Sequence, residues 1–298
     1  MISEQTSGIY TYNVKHLRDL IGEIVKASVT PDAWKWLEGA AALSNGVTGF
    51  NASFVLLPRK TGKAGVRISQ EQLDACSTIR RGFSIEGWSI DRLSRVWLLM
   101  HLDPSDKDNY QRIIENLFLA AEMNELVALY SALPLLAYPA IWVKRCAEGI
   151  RNTMDSVLEA VMYNNPYPSD YLEQPAWNQM ILKAFFTGKK IEKIEGLDER
   201  ANSELAHTLS DYAQERWAAK REMNPMLWRL VGRFIDDEIL SAIKKGLQVS
   251  AYQDKRPIVL AIVESSYEPA KALLEDPELK AIADDKTLSW KSFESPAN

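Results

Sequence analysis

The sequence predicts an all-α fold, an irregular α-α superhelix in which antiparallel helices form a helical-repeat-like array. Apolar residues recur at helical spacing along most of the chain, caps and prolines punctuate these segments, and clear β-hairpin signals are absent. No repeat has a fixed period, so we expect the array to be irregular. A hydrophobic content of 46% with 25% charged residues supplies a sizeable core.

The first helices carry clear signals. An apolar stripe over residues 14–25 predicts one helix. Thr30 and Pro31 open the next, because threonine is a good N-cap and proline at the first helical position loses no hydrogen bond. Residues 50–57 fit either a short strand or a buried helix, and their periodicity does not decide between the two.

Two further helix starts are marked by side chains that can cap them. Ser69 with Gln72 makes a capping box, and Ser105 with Asp108 makes a looser version of the same motif. We therefore expect one helix to begin just after Ser69 and another just after Ser105.

Prolines end two helices in the middle of the chain. The helical pattern over residues 90–100 is followed by Pro104, and the pattern over residues 126–133 is followed by Pro134. The apolar residues over 142–161 keep one helical period, which predicts a single long helix there.

The C-terminal part repeats the same punctuation. Asn224 and Pro225 form a cap-plus-proline signal, and the apolar residues over 228–243 predict one helix after it. Two shorter helices are expected around residues 259–265 and 269–274.

No linker rich in Gly, Ser or Pro divides the chain. We therefore expect one domain over residues 1–298, with a soft boundary near residues 101–110 as the alternative. Residues 285–298 form a polar C-terminal tail in this interpretation.

Charge and cysteine usage exclude several classes of function. The 35 Lys and Arg against 40 Asp and Glu give a net charge of -5, so no nucleic acid is expected as a partner. Cys76 and Cys146 lack the spacing of a disulfide framework or a zinc cluster and fit a reducing compartment. Neither a secretion signal nor a transmembrane segment of roughly 20 apolar residues is recognisable, so we expect a cytoplasmic protein.

The basic segment PRKTGKA resembles a phosphate-binding loop only superficially. A Walker A loop needs glycine and a hydroxyl residue at two positions where this chain has Leu57 and Ala64, which excludes that machinery. Arg59, Lys60 and Lys63 either bind an anion around the tight turn that their neighbouring glycine allows or form a solvated basic loop.

Four polar residues repeat along one expected helix face: Glu204, His207, Asp211 and Glu215. One histidine with carboxylates is a weak ligand set without a second helix to complete it. A solvated helix face is the favoured interpretation, and we predict no metal site.

The segment from residue 163 to residue 217 combines rigid turns with aromatic and polar side chains. One interpretation is a polar pocket walled by aromatic rings, with polar residues as donors and acceptors, formed by Tyr167, Trp177, Tyr212, Asn178, Lys183, Asp211 and Arg216. The alternative is that these polar groups join loops to helices, with Asp198, Asp211 or Glu215 as the carboxylate that pairs with Arg216.

Several segments resemble the EboA family of bacterial proteins: LLPRKTGKA, EGWSIDRLSRVWLL, LYSALPLLAYPAIWVKRCAEGIRNTM, NNPYPSDY, AWNQMILKAFFTGKK and GLDERANSELAHTLSDYAQERWAAKR. The resemblance extends over about residues 56–229. It implies an operon that also encodes a UbiA-type prenyltransferase, a TatD-like hydrolase, a dehydroquinate-synthase-like protein, a sugar-isomerase-like barrel protein and a phosphodiesterase-like protein. It also implies a link to specialised metabolites, including movement of a scytonemin precursor toward the periplasm.

The resemblance implies no reaction, no cofactor and no catalytic residues. The candidate ligand-binding residues therefore follow from the residues themselves and are Arg59, Lys63, Asn165, Tyr167, Asn178, Gln179, Lys183, Asp211, Tyr212, Glu215 and Arg216.

Three hypotheses of function follow. The first is a cytoplasmic accessory protein of an ebo-type operon that binds a partner protein of that operon or an anionic or prenylated metabolite intermediate. The second is an enzyme acting on a phosphorylated or prenylated intermediate, with Lys183 and either Asp211 or Glu215 as acid–base groups. The third is a structural adaptor that works through its surface.

Overall fold

A computed structural model describes residues 8–42 and 47–294, without the side chains of residues 47, 48 and 252. Within these ranges the chain forms 17 α-helices and no β-sheet, which confirms the all-α fold. Two compact units are present, Met1–Leu172 and Glu173–Asn298. The turn over residues 101–110 lies inside the first unit. A compact unit need not fold alone, so the single domain and the superhelical arrangement stay predictions.

The first unit contains ten α-helices, which are α1 Val14–Ser28, α2 Pro31–Ala42, α3 Val47–Thr61, α4 Gln70–Ile79, α5 Ile90–Leu99, α6 Lys107–Ala120, α7 Met123–Ala132, α8 Val143–Arg151, α9 Asp155–Met162 and α10 Tyr167–Tyr171. Helix α5 is central, because every one of its residues except Arg92 is buried. It packs against α1, α3 and α7, and α7 packs in turn against α9.

The structure decides the ambiguous segment over residues 50–57, which belongs to helix α3. This helix continues through Pro58 to Thr61 and ends at Gly62, whose φ of 77° suits a residue without a side chain. Arg59 and Lys60 therefore lie on the last turn of a helix rather than in a loop.

Two expectations in this unit were wrong in detail. The single helix over residues 142–161 is two helices, α8 and α9. The break follows Asn152, whose Oδ1 accepts a hydrogen bond from the Met154 backbone N–H and so offers the chain a local alternative to the helix. Helix α6 is capped by Asp106 rather than Ser105, because Asp106 Oδ1 accepts from the Asn109 N–H at 3.0 Å.

The second unit contains seven α-helices, which are α11 Gln174–Phe186, α12 Ser203–Ala218, α13 Leu227–Val231, α14 Asp237–Val249, α15 Tyr252–Glu264, α16 Glu268–Lys271 and α17 Pro277–Ala283. Helix α12 packs against α13 and α14, and α15 packs against α13 and α17. The prediction of one helix over residues 228–243 was wrong, because the segment is divided between α13 and α14. Asp236 caps the start of α14, where its Oδ1 accepts hydrogen bonds from the Glu238 and Ile239 N–H groups.

Other sequence signals are confirmed. Ser69 and Gln72 form the reciprocal capping box of α4. In the expected polar tail, residues 290–293 form a 3-10 turn in which Trp290 Nε1 donates to Glu264, and residues 295–298 lie outside the described part. Among the described helices, none combines the length and the apolar character that crossing a membrane requires.

Candidate functional site

The predicted ligand-binding residues fall in both compact units. Those in Met1–Leu172 are Arg59, Lys63, Asn165 and Tyr167, and those in Glu173–Asn298 are Asn178, Gln179, Lys183, Asp211, Tyr212, Glu215 and Arg216. Arg59 and Lys63 share one cleft with a volume of about 470 Å³. This cleft, which we call the α3–α7 cleft, is lined by Val55, Leu56, Pro58, Arg59, Lys63, Arg95, Glu122, Asn124 and Glu125.

One wall of the α3–α7 cleft is the exposed face of α3. Val55 and Leu56 are 57% and 38% exposed there, so two adjacent large apolar side chains contact solvent. Arg59 and Lys63 follow them and are also exposed. Neither cation forms an ion pair within residues 8–42 and 47–294. The wall therefore presents an apolar surface next to two positive charges that form no ion pair among the described residues.

Lys60 is the third cation of the basic segment and lies elsewhere. Its ammonium group is 5.7 Å from the ring centroid of Trp36, a distance typical of a cation–π contact. Two of the three basic residues thus converge on the cleft, while the third covers a neighbouring tryptophan.

The cleft also contains Arg95, which lies on α5 and is only 2% exposed. Its Nη1 donates to Asp91 Oδ2 at 2.8 Å, its Nε donates to the Phe54 carbonyl oxygen at 3.1 Å, and its Nη2 lies 3.8 Å from Glu125 Oε1. A buried guanidinium needs such partners, because an unpaired buried charge costs several kcal/mol. Sequence reasoning missed this cluster, although Asp91 and Arg95 have the i, i+4 spacing of a helical ion pair.

Two carboxylates accompany the cations in the α3–α7 cleft. Glu125 faces Arg95 and also accepts a hydrogen bond from the Glu122 backbone N–H at 3.0 Å. The exposed Glu122 side chain forms no ion pair within the described residues. Asp91 and Glu125 balance the charge of Arg95. At the cleft surface, the two cations Arg59 and Lys63 then face one carboxylate, that of Glu122.

Asn165 and Tyr167 direct their polar atoms to the backbone of their own unit. Asn165 Nδ2 donates to the carbonyl oxygens of Tyr130 and Ala160, at 3.1 and 3.0 Å. The Tyr167 hydroxyl donates to the Pro139 carbonyl at 2.6 Å, and both residues are buried. This geometry joins the turn over residues 163–166 to the helices around it.

Asn178 lies in an amide network between α11 and α12. Its side chain exchanges two hydrogen bonds with Asn202, at 2.8 and 3.3 Å, and it accepts a third from Gln174. Asn202 also caps α12 by accepting from the Leu205 N–H. The network therefore positions the start of α12, while Gln179 is exposed on α11.

Lys183 is half-buried on α11, and this burial lowers the pKa of its ammonium group. On α12, Asp211 and Glu215 are exposed. The Tyr212 ring contacts Phe186 edge-on with centroids 4.7 Å apart. The hypothesis that Lys183 works with Asp211 or Glu215 stays a prediction.

Arg216 was expected to pair with a carboxylate, but its guanidinium donates to the Glu222 backbone carbonyl, with Nε at 2.7 Å. The carboxylate of Asp198 pairs instead with Arg229, through bonds of 2.9 and 2.6 Å. Arg216 therefore holds the loop that follows α12.

His207 turns away from the carboxylates of its own helix. Its Nε2 lies 2.9 Å from Asp236 Oδ2, and its Nδ1 lies 3.5 Å from Glu238 Oε2. Across the part of the chain that the structure describes, no group of three or more His, Cys, Asp or Glu side chains is arranged to hold a metal ion.

The two cysteines are free and buried. Burial raises the pKa of the Cys76 thiol to about 11 and raises the pKa of Cys146 as well. Because the thiolate is the reactive form, neither side chain is an activated nucleophile.

Comparison with known proteins places the chain in a family. The model of the family described as "Metabolite traffic protein EboA" matches residues 17–232, which includes the whole α3–α7 cleft. No curated protein and no solved structure matches the chain significantly. Since the family model covers most of the 298 residues, the family description supports a role in metabolite handling. The chain belongs to the EboA family.

Proposed function

We propose that this chain is a non-catalytic accessory protein of an ebo-type pathway that binds an anionic, prenylated metabolite intermediate in the α3–α7 cleft. One observation carries the proposal: exposed apolar side chains and two cations that form no ion pair among the described residues lie side by side in one cleft, within the residues that match the family model.

The cleft has the size and chemistry for such a ligand. Its volume of about 470 Å³ lies within the range of small-molecule sites, which is roughly 300–1,000 Å³. Val55 and Leu56 offer an apolar surface to a hydrocarbon chain, and Arg59 and Lys63 offer charge-assisted hydrogen bonds to an anion. A molecule with an anionic head and an isoprenoid tail can contact the two cations with its head and the two apolar side chains with its tail.

The arrangement supports binding more than turnover. Arg95, the cation at the base of the cleft, is fixed by Asp91 and Glu125. A guanidinium held in this way exchanges no proton, because arginine stays protonated in proteins. The proposal therefore assigns Arg59 and Lys63 to ligand binding and Arg95 to positioning.

Isothermal titration calorimetry with three probes tests the proposal. Geranyl diphosphate carries both head and tail, inorganic pyrophosphate carries the head alone, and geraniol carries the tail alone. We expect the first to bind at least about tenfold more tightly than either of the others, since burial of several methylene groups and an ionic contact each contribute more than 1 kcal/mol.

Matched double variants assign the binding to this cleft. The double variant with Arg59→Gln and Lys63→Gln should lower the affinity for geranyl diphosphate about tenfold or more. Lys35→Gln with Arg67→Gln removes the same charge from exposed positions outside the cleft and should leave the affinity unchanged. Equal losses in both variants, or no binding to the wild type, would overturn the proposal. If mass spectrometry detected conversion of geranyl diphosphate to a product, this result would favour the enzyme hypothesis.

A further inference from the structure

A larger cavity lies in the unit Glu173–Asn298 and shares no lining residue with the α3–α7 cleft. Its volume is about 690 Å³. The end of α12, the loop that follows it, the junction of α14 and α15, and the 3-10 turn Trp290–Phe293 enclose it. We call it the α12–α15 cavity. None of the predicted ligand-binding residues lines it, and part of its wall lies beyond the residues that match the family model.

The α12–α15 cavity contains two stacked tryptophans. The Trp217 and Trp228 rings lie with centroids 5.7 Å apart and planes 23° apart. Trp228 is fully buried, and the Trp217 indole lies against Gly246 so closely that a Cβ there would overlap it. Trp217 is thus fixed from two sides but is itself only half-buried, which leaves part of a rigid aromatic surface for a planar ligand.

Two polar atoms of the cavity lining have no hydrogen-bond partner among the described residues. They are Nε1 of Trp228 and Oγ of Ser250, both buried. Buried polar groups are nearly always satisfied, because an unmade hydrogen bond costs free energy. Neither atom has appreciable accessible surface, so a molecule in the cavity reaches either one only after the residues that cover it shift.

The charges at the cavity disfavour a ligand with several negative charges. Lys220, Arg221 and Arg256 line it together with Glu222 and Asp254. Because Arg256 is paired with Asp285, the two remaining cations face two carboxylates and leave no excess of positive charge. A dianionic or trianionic diphosphate would meet the two carboxylates and is disfavoured.

Lys220 and Arg221 are the cations available to such a ligand. Both are exposed, and neither forms an ion pair in the part of the chain that the structure describes. Arg256 is engaged with Asp285 at 3.0 Å. The bond from Arg216 to the Glu222 carbonyl holds the loop that carries the two free cations.

We propose that the α12–α15 cavity is a second binding site, which takes a planar aromatic monocarboxylate. The ring of the ligand packs against the Trp217 surface, and its carboxylate lies at Lys220 and Arg221.

Calorimetric titration of the full chain with three probes tests this site. 1-Naphthoate has the aromatic ring and the carboxylate, cyclohexanecarboxylate lacks the aromatic ring, and 1-naphthylmethylamine reverses the charge. We expect 1-naphthoate to bind with one-to-one stoichiometry and about tenfold more tightly than the other two. No binding of 1-naphthoate, or equal affinity for cyclohexanecarboxylate, would overturn the proposal.

Two charge-matched variants locate the binding. The double variant with Lys220→Gln and Arg221→Gln should lower the affinity for 1-naphthoate about five- to tenfold. Lys244→Gln with Lys245→Gln removes two exposed charges from α14 outside the lining and should change nothing. Equal affinity in the first variant and the wild type contradicts the proposal. Arg59→Gln with Lys63→Gln should leave 1-naphthoate binding intact, so the outcome is independent of the α3–α7 cleft.

Discussion

The α3–α7 cleft and the α12–α15 cavity differ in the group that forms their base. In the cleft it is the guanidinium of Arg95, buried on the central helix α5 and held by two carboxylates. In the cavity it is the stacked pair Trp217 and Trp228, which lies where helices end and a loop begins. The exposed cations Arg59 and Lys63 beside the Arg95 cluster favour an anionic ligand, whereas a rigid ring favours a planar one.

The comparison also separates what each part contributes to stability and to binding. The ion cluster of Arg95, Asp91 and Glu125 belongs to the core, so its removal should mainly lower the free energy of unfolding. The cations at the cleft and at the cavity, Arg59, Lys63, Lys220 and Arg221, are exposed and form no ion pair within the described residues. Their removal should therefore mainly lower the affinity for the ligand. The predictions below test this separation, from the largest expected effect to the smallest.

Arg95→Met should have the largest effect. The substitution leaves Asp91 and Glu125 buried without their cation, which costs about 3–5 kcal/mol of unfolding free energy. Urea unfolding followed by circular dichroism measures it. Arg59→Met, on the exposed wall of the same cleft, is the matched control and should change the unfolding free energy by less than about 0.5 kcal/mol. Similar losses in the two variants would contradict the separation.

Gly246→Ala should have the next largest effect, in the other cavity. The added methyl group overlaps the Trp217 indole and should cost about 1–3 kcal/mol of unfolding free energy, with weaker 1-naphthoate binding. Gly39→Ala on α2 is the control, because nothing lies within 4 Å of its Cβ position. It should stabilise the helix by up to about 1 kcal/mol. A neutral Gly246→Ala would show that Trp217 is free to move.

Glu122→Gln should act on binding alone and in the opposite direction. It removes the exposed carboxylate of the α3–α7 cleft, so geranyl diphosphate should bind about two- to fivefold more tightly. Calorimetry at two salt concentrations measures the change, which should shrink at high ionic strength because salt screens exposed charges. Weaker binding would mean that Glu122 contacts the ligand favourably.

Asp236→Asn should have the smallest effect, and its size depends on pH. Partial burial raises the pKa of Asp236, but hydrogen bonds from the Ile239 and Glu238 N–H groups and the nearby His207 outweigh it, so the pKa is lowered overall. A carboxyl whose pKa is lower in the folded state adds stability above its unfolded pKa and loses it as the pH falls through its folded pKa.

Asparagine at this position keeps the capping oxygen and removes only the charge. The stability difference between wild type and Asp236→Asn should therefore be present at about pH 5 and shrink as the pH falls below about 4. Urea unfolding across this range measures it. A difference that stays constant would show that the ionised carboxylate contributes nothing.

Local signals in the sequence predicted much of the fold. The capping box of Ser69 and Gln72 appears as expected, because a cap depends on residues only two or three positions apart. The breaks after Asn152 and before Asp236 were missed, since the apolar period continues across them. Asp236 is a good N-cap residue, but this local signal was overlooked beside the longer apolar pattern.

The candidate sites were predicted less completely. Arg59 and Lys63 were recognised from their basic segment, and the structure places them in one cleft. Arg95 and Glu125 were missed because the partners come from different helices, and Trp217 and Trp228 were missed because a core tryptophan and a cavity tryptophan look alike in a sequence.

By itself the sequence determined the helical class of this protein, some helix starts and its family, because these follow from spacing and composition within short segments. Only the tertiary structure decided which polar residues are structural and which are available. Asn165 and Asn178 bond to protein groups around them, whereas Arg59, Lys63, Lys220 and Arg221 remain unpaired among the described residues. The physical reason is that a hydrogen bond or ion pair depends on distances between elements, which one-dimensional spacing does not encode.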